Sequence, residues 1–194
     1  MMARSKTFNP EVALSKAMAV FWEKGYAATS MQDLVDAMGI HRGSLYDTFQ
    51  DKRQLFLRAI AHYHHTVVES AIAHLKARGA GREAIEWHFE NLAERALESS
   101  PQRGCLVTNT LVELAAQDPE IATILKKGLQ QVEDAFFQAL VRAQDQGEIA
   151  ADKDLRALAH YLTSSLQGIR VMSQVDTEPD SLRQTAQLVL SALD

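Results

Sequence analysis

Between residues 42 and 52 the sequence gathers side chains suited to gripping a sugar-phosphate rail: Arg42, Ser44, Tyr46, Thr48 and Lys52. Leu45 and Phe49, at i and i+4, anchor the rear of a short helix over residues 42–48, while Gly43 and Ser44 keep its start slim. Slimness matters because the major groove is only about 12 Å wide. Arg42, Ser44, Tyr46 and Thr48 then face outward with groups that hydrogen-bond to DNA. A second short amphipathic helix precedes this one across Gly39, and a longer one, from Pro10 to Lys24, stands behind both. That is the arrangement of a helix-turn-helix.

Two other groups invite a chemical reading. Cys105 follows Pro101-Gln102-Arg103-Gly104 at a predicted helix start. Unpaired amides there, with Arg103 nearby, stabilise a thiolate, although a free cysteine is also a common small core residue. His62, His64 and His65 cluster, but zinc needs three or four converging ligands and no cysteine or acid stands at an obvious spacing, so no metal is expected. Trp87, His88, Cys105, Thr108, Phe136, Tyr161 and Met172 are candidate linings of an apolar pocket with a few polar groups. No GxSxG elbow, phosphate-cradling glycine loop or HExxH is present, so neither catalysis nor a cofactor is expected; an all-helical enzyme is the distant alternative. A helical adaptor that binds only protein has no use for the Gly43-Ser44-Leu45-Tyr46 run.

The whole chain reads as helix. Its 194 residues, 46% hydrophobic and 23% charged, suit one ordinary domain or a small module fused to a larger one. The predicted helices run over about 10–24, 31–38, 42–48, 51–76, 82–98, 104–116, 119–146, 153–173 and 179–193. Asn9-Pro10-Glu11 and Asp118-Pro119-Glu120 each supply a cap, a proline at the first helical position and a first-turn acid. Ser30 with Asp33 makes a near capping box, and residues 77–81 (Ala-Arg-Gly-Ala-Gly) read as a joint. Residues 1–60 hold eight Lys or Arg against six Asp or Glu, a net of +2; the remainder holds 12 against 19, a net of −7. A basic head on an acidic body suits a nucleic-acid reader carried by a regulatory part, because phosphate attraction is local and screened within about 10 Å. The polar N-terminus and the lack of any stretch of about 18 apolar residues predict a cytoplasmic protein without a membrane span.

The run Thr29-x4-Leu34-Val35-x2-Met38-Gly39-Ile40-x2-Gly43-Ser44-Leu45-Tyr46-x2-Phe49-x2-Lys52-x2-Leu55, preceded by Phe21-x3-Gly25-Tyr26, resembles the TetR-family helix-turn-helix. The resemblance covers roughly residues 10–56, with about a dozen positions agreeing in type and spacing. It implies an all-α fold of about nine helices: a three-helix DNA-binding head in residues 1–52 and a ligand-sensing, dimerisation body in residues 53–194. It also implies that Thr29 and Tyr46 give hydroxyls to phosphates, that Lys52 neutralises one, and that Arg42 and Ser44 face base edges. Ser30, His41, Gly43 and Thr48 belong to the same surface, and Arg4 and Lys6 form an arm toward the backbone or minor groove. Two positions depart from the pattern. His41 replaces a small hydroxyl residue, altering the base contacts, and Asp51 replaces a Ser or Asn, capping the next helix while placing a negative charge near DNA.

For the body, the resemblance implies a lever helix after the head, a cavity for a small-molecule effector, and pairing with a second copy through the last two helices. Leu155, Leu158, Leu162, Leu166, Ile169, Leu182, Leu188, Val189 and Leu190 are the candidate seam. The expected partners are thus double-stranded operator DNA, an effector and a second copy. The Gly104-Cys105-Leu106 triplet resembles a subset of the same family, some of whose members sense electrophiles or oxidants. The expected function is a repressor released by its effector; the alternatives are an activator, or a thiol-based sensor acting through Cys105.

Overall fold

Helix starts fall where the sequence supplies caps. Asn9 accepts the Glu11 and Val12 amides at 2.9 and 3.4 Å and opens α1 (Pro10–Lys24). Before α2 (Met31–Met38), the Ser30 hydroxyl accepts the Asp33 amide at 3.0 Å while the Asp33 carboxylate accepts the Ser30 amide at 2.8 Å, a complete capping box. Asp51 opens α4 (Lys52–Tyr63), Asp118 opens α8 (Pro119–Asp145) and Asp154 opens α9 (Leu155–Met172) in the same manner. By contrast, α3 (Arg42–Phe49) and α7 (Leu106–Leu114) begin at His41 and Cys105, which make no side-chain cap bond.

The computed structural model describes residues 8–77, 81–98, 103–175 and 178–194. Arg4 and Lys6, most of the predicted joint at 77–81, and Pro101 lie outside the described residues. The helix predicted over 51–76 is a single rod, but not a uniform one: α4 passes through a π turn (His64–Val68) into α5 (Glu69–Lys76). The cause is legible in burial. Tyr63 and Val68, five residues apart, are both buried, and the wider turn carries Val68, Ile72 and Leu75 to the inner face. The remaining elements are α6 (Arg82–Glu98) and α10 (Pro179–Leu190), the latter ending in a 3-10 turn (Ser191–Leu193). The described residues thus form nine helical rods and no strand. None of these helices is long and apolar enough to cross a membrane.

The head is α1, α2 and α3 closed by α4, with α1 lying along α4 and α2. Phe21 of α1 meets Phe56 of α4 edge-on at 4.8 Å, and Leu34, Leu45, Phe49 and Leu55 complete its core. In the body α8 is the central rod, contacted by α5, α6, α7 and α9, while α10 packs on α6 and α9. Phe136 of α8 is fully buried, stacked 5.9 Å from Phe89 and edge-on to His88 at 5.4 Å. Phe136→Ala is expected to cost about 3–5 kcal/mol of stability, read as a lowered urea midpoint at unchanged denaturant slope.

Candidate nucleic-acid interface

The outer face of α3 carries Arg42 and Tyr46, as the sequence predicts, but Ser44 and Thr48 are less open than expected and Asp47 shares the exposed side. Leu45 and Phe49 are 0% and 2% exposed and pin the helix to the head core, whereas Arg42, Gly43, Tyr46 and Asp47 are exposed and Ser44 and Thr48 half-buried. The Arg42 guanidinium lies 5.9 Å from the centre of the Tyr46 ring, holding both side chains on one side of the helix. A Cβ on Gly43 would meet nothing within 4 Å, so packing inside the chain does not demand glycine there. Lys52, on the first turn of α4, rests its ammonium 4.5 Å over the Tyr26 ring. Its neighbour Arg53 is otherwise engaged, 2.9 Å from Asp118 and 2.7 Å from Glu120 at the start of α8.

Thr29 does not offer the free hydroxyl that the resemblance implies, and Ser30 is engaged in the cap that its spacing to Asp33 predicts. Thr29 is 1% exposed and donates its hydroxyl to the Gly25 carbonyl at 2.6 Å. The Ser30 hydroxyl is spent within the capping box, where it also donates to Asp33 at 2.7 Å. Both side chains shape the turn that carries α2 and α3. His41 is exposed beside Arg42.

In the body, His64, Val68, His88, Cys105, Gln167 and Arg170 line a cavity of about 20 Å³, room for roughly one water. On one side it adjoins a cleft of about 190 Å³ holding Trp87, His88 and Arg170, and on the other a cleft of about 310 Å³ holding His64, Glu69 and Gly128. Of the predicted pocket residues, His88 and Cys105 therefore face the cavity and Trp87 the cleft beside it. Thr108 lies just behind, its hydroxyl donating to Gln167 at 2.6 Å, and Phe136 packs against the His88 ring without lining the cavity itself. Tyr161 and Met172 belong elsewhere: they stand exposed on the outer side of α9, whose inner stripe is Ala159, Leu162, Thr163, Leu166 and Ile169. Most of the predicted seam residues close the chain's own core instead. Leu162, Leu166, Ile169, Leu182 and Val189 are buried, while Leu188 is exposed.

Cys105 is 1% exposed, with the Arg170 guanidinium 3.5 Å and the Tyr63 hydroxyl 3.7 Å from its sulfur. Burial alone would push this thiol up. Arg170, the Thr108 amide and hydroxyl, and the Tyr63 hydroxyl more than offset it, so the thiol titrates below its ordinary value. The predicted neighbour Arg103 is not part of this nest: it lies over Trp22 and reaches toward Glu23 at 3.8 Å. The cation at the sulfur comes from α9, 65 residues along the chain, and no local spacing announces it. Among the described residues no three His, Cys, Asp or Glu converge as metal ligands; His62 bonds Ser15 at 2.8 Å, and His64 and His65 share Glu69.

Two family models match the chain: bacterial regulatory proteins of the tetR family over residues 13–59, and the tetracyclin repressor-like C-terminal domain over residues 81–189. The chain belongs to the tetR family. As such it is a DNA-binding transcriptional regulator and not an enzyme. It is 37% identical over 194 residues to the uncharacterized HTH-type transcriptional regulator YezE of Bacillus subtilis (strain 168), covering 100% of both chains. It is 31% identical over 184 residues to the HTH-type transcriptional repressor ComR of Escherichia coli (strain K12), covering 94% of this chain and 88% of that one. Among solved structures, a cysteine mutant of the TetR family transcriptional regulator CifR, complexed with 26bp double-strand operator DNA, superposes with a TM-score of 0.85 at 28% identity, covering 98% of this chain and 100% of that one.

Asp118, which caps α8 and also pairs with Arg53, gives this corner of the fold an acid sensitivity. The Ile121 amide first and Arg53 second hold the Asp118 carboxyl below its ordinary range. A folded-state pKa below the unfolded value stabilises the protein above the unfolded carboxylate pKa, about 4, and that stabilisation is lost as pH falls through the lower folded value. Asp118→Asn is therefore expected to lower Tm at pH 7, by a difference that shrinks as pH falls below the unfolded carboxylate value of about 4. A Tm difference that keeps the same size throughout an acid denaturation series would contradict the assignment.

Proposed function

We propose that this chain is a homodimeric transcriptional repressor that grips operator DNA with α3 and lets go when the body cavity is occupied. The observation that carries the reading is the outward face of α3, where Arg42 and Tyr46 are exposed on the same helix as a glycine that the chain's own packing does not require, with Lys52 following on the first turn of α4. Reading is assigned to residues 1–52, and sensing and pairing to residues 53–194. Arg42, Ser44 and His41 meet base edges, and Tyr46, Thr48 and Lys52 meet phosphates. Arg4 and Lys6 are assigned to the arm. The relative ComR is named a repressor and the CifR neighbour holds operator DNA, which supports both halves of the reading. A cytoplasmic location accords with that role.

Pairing is assigned to the outer faces of α9 and α10. Tyr161, Val171 and Met172 are exposed on α9 and Leu188 on α10, Val175 is exposed in the turn after α9, and a Cβ on Gly168 would meet nothing within 4 Å, leaving room for a helix of a second copy to approach closely. A symmetric pair sets its two heads about 34–36 Å apart, or a multiple of it, to meet successive major grooves. An effector that fits only the other head spacing shifts the population off DNA. Entry into a space the size of one water requires the cavity walls to move, so occupancy and shape change are coupled.

A second reading is favoured by the sulfur's surroundings: Cys105 is a thiol sensor, its thiolate held by Arg170 and Tyr63. Iodoacetamide labelling against pH is expected to give a midpoint below the ordinary thiol value of about 8.5, moving upward in Arg170→Ala. An ordinary midpoint that Arg170→Ala leaves in place refutes it.

For the reading as a whole, Tyr46→Phe and Lys52→Ala are each expected to weaken binding to duplexes from the protein's own promoter region. Lys52→Ala should also reduce the slope of log affinity against log salt by about one unit per head. Failure of the parent protein to bind any such duplex overturns the proposal, and an unchanged slope overturns the Lys52 assignment.

A further inference from the structure

The turn between α1 and α2 is held from outside the head. Glu113, half-buried on the last turn of α7, accepts the Tyr26 amide at 2.9 Å with one carboxylate oxygen and the Ala27 amide at 2.7 Å with the other. These are charge-assisted bonds to backbone, so they position the chain itself, not a mobile side chain. The turn leads directly into the Ser30 cap of α2 and hence into the helix-turn-helix. The fit is close enough to dictate Gly25: at φ +79° a side chain is strained there, and a Cβ would lie 2.9 Å from a Glu113 oxygen.

The other end of α7 belongs to the cavity. Cys105 precedes its first residue and Val107 sits on its first turn, and both line the cavity wall. The carbonyl of Arg103, just ahead, accepts the Trp22 indole N–H at 3.1 Å and the Asn109 side-chain NH2 at 2.9 Å. α7 therefore spans nine residues, about 13 Å, with the cavity at one end, the reading head's turn at the other, and a bond to α1 near its start. The Arg53 pair with Asp118 and Glu120 also joins body to head, but it is only partly shielded from solvent and grips α4, not the helix-turn-helix.

We infer that Glu113 is the positioning residue through which the body sets the placement of the reading head: movement of the cavity wall tilts α7, and Glu113 carries that tilt to the backbone of Tyr26 and Ala27. The inference deepens the operator-binding proposal, yet its first test needs no DNA. Val107→Leu and, as a milder filling, Gly128→Ala alter the cavity wall; a Cβ at 128 would sit 3.4 Å from the His64 ring, within ordinary contact. Each is combined with Glu113→Ala in the full-length protein, and amide hydrogen exchange over residues 26–38 is measured. Glu113→Ala alone is expected to speed exchange at Tyr26 and Ala27 by about tenfold or more, with Glu113→Gln, which keeps one acceptor, in between. In the parent background the cavity substitutions should change exchange across 26–38 and lower operator affinity by about threefold or more; in Glu113→Ala both effects should vanish. Cavity effects on exchange that are equal in the two backgrounds, including no effect in either, overturn the inference. Loss of all duplex binding in the parent overturns the operator proposal instead, and leaves the exchange result to decide on Glu113.

Discussion

An eight-residue helix does not persist alone in water, where helices shorter than about 12–15 residues are marginal. α3 exists because Leu45 and Phe49 are sunk into the head core while Arg42, Gly43, Tyr46 and Asp47 face out. That single constraint sets the rest of the head. α1 must lie behind with Phe21 against Phe56, α2 must close the flank with Leu34 and Met38, and the start of α4 must bring Lys52 alongside. The reading surface is thus a by-product of two buried side chains, and its polar groups remain uncommitted because the core asks nothing of them.

Much of this was readable in advance wherever the cause is local. Asn9, Asp118 and the Ser30–Asp33 pair announce helix starts because each bonds amides two or three residues on, and the Leu45–Phe49 spacing announces the buried side of α3. What escaped reading is set by packing or by distance along the chain. The Thr29 hydroxyl turns inward to Gly25 because the turn buries it. Arg170, not Arg103, meets the Cys105 sulfur because α9 crosses the start of α7. Tyr161 and Met172 look like pocket aromatics and thioethers by composition, but the apolar stripe of α9 passes them by.

The charge asymmetry also gains a location. The acidic body is not simply solvated: Glu113, Asp118 and Glu120 stand at the junction, where they engage two backbone amides of the head and Arg53. Part of the body's negative charge is therefore structural cement for a domain that must itself approach a polyanion. Lys52, facing Tyr26 instead of a carboxylate, stays electrostatically available.

The π turn at 64–68 has a geometric consequence. Upstream of it the rod turns Leu55, Phe56, Ala59, Ile60 and Tyr63 inward; downstream it turns Val68, Ile72 and Leu75. A single added residue advances the azimuth of a helix by about 100°, so the two stripes sit out of phase, and no uniform α-helix could satisfy both ends at once. The rod behaves as a phase shifter: it keeps both stripes seated in one continuous core only while the widened turn absorbs the offset.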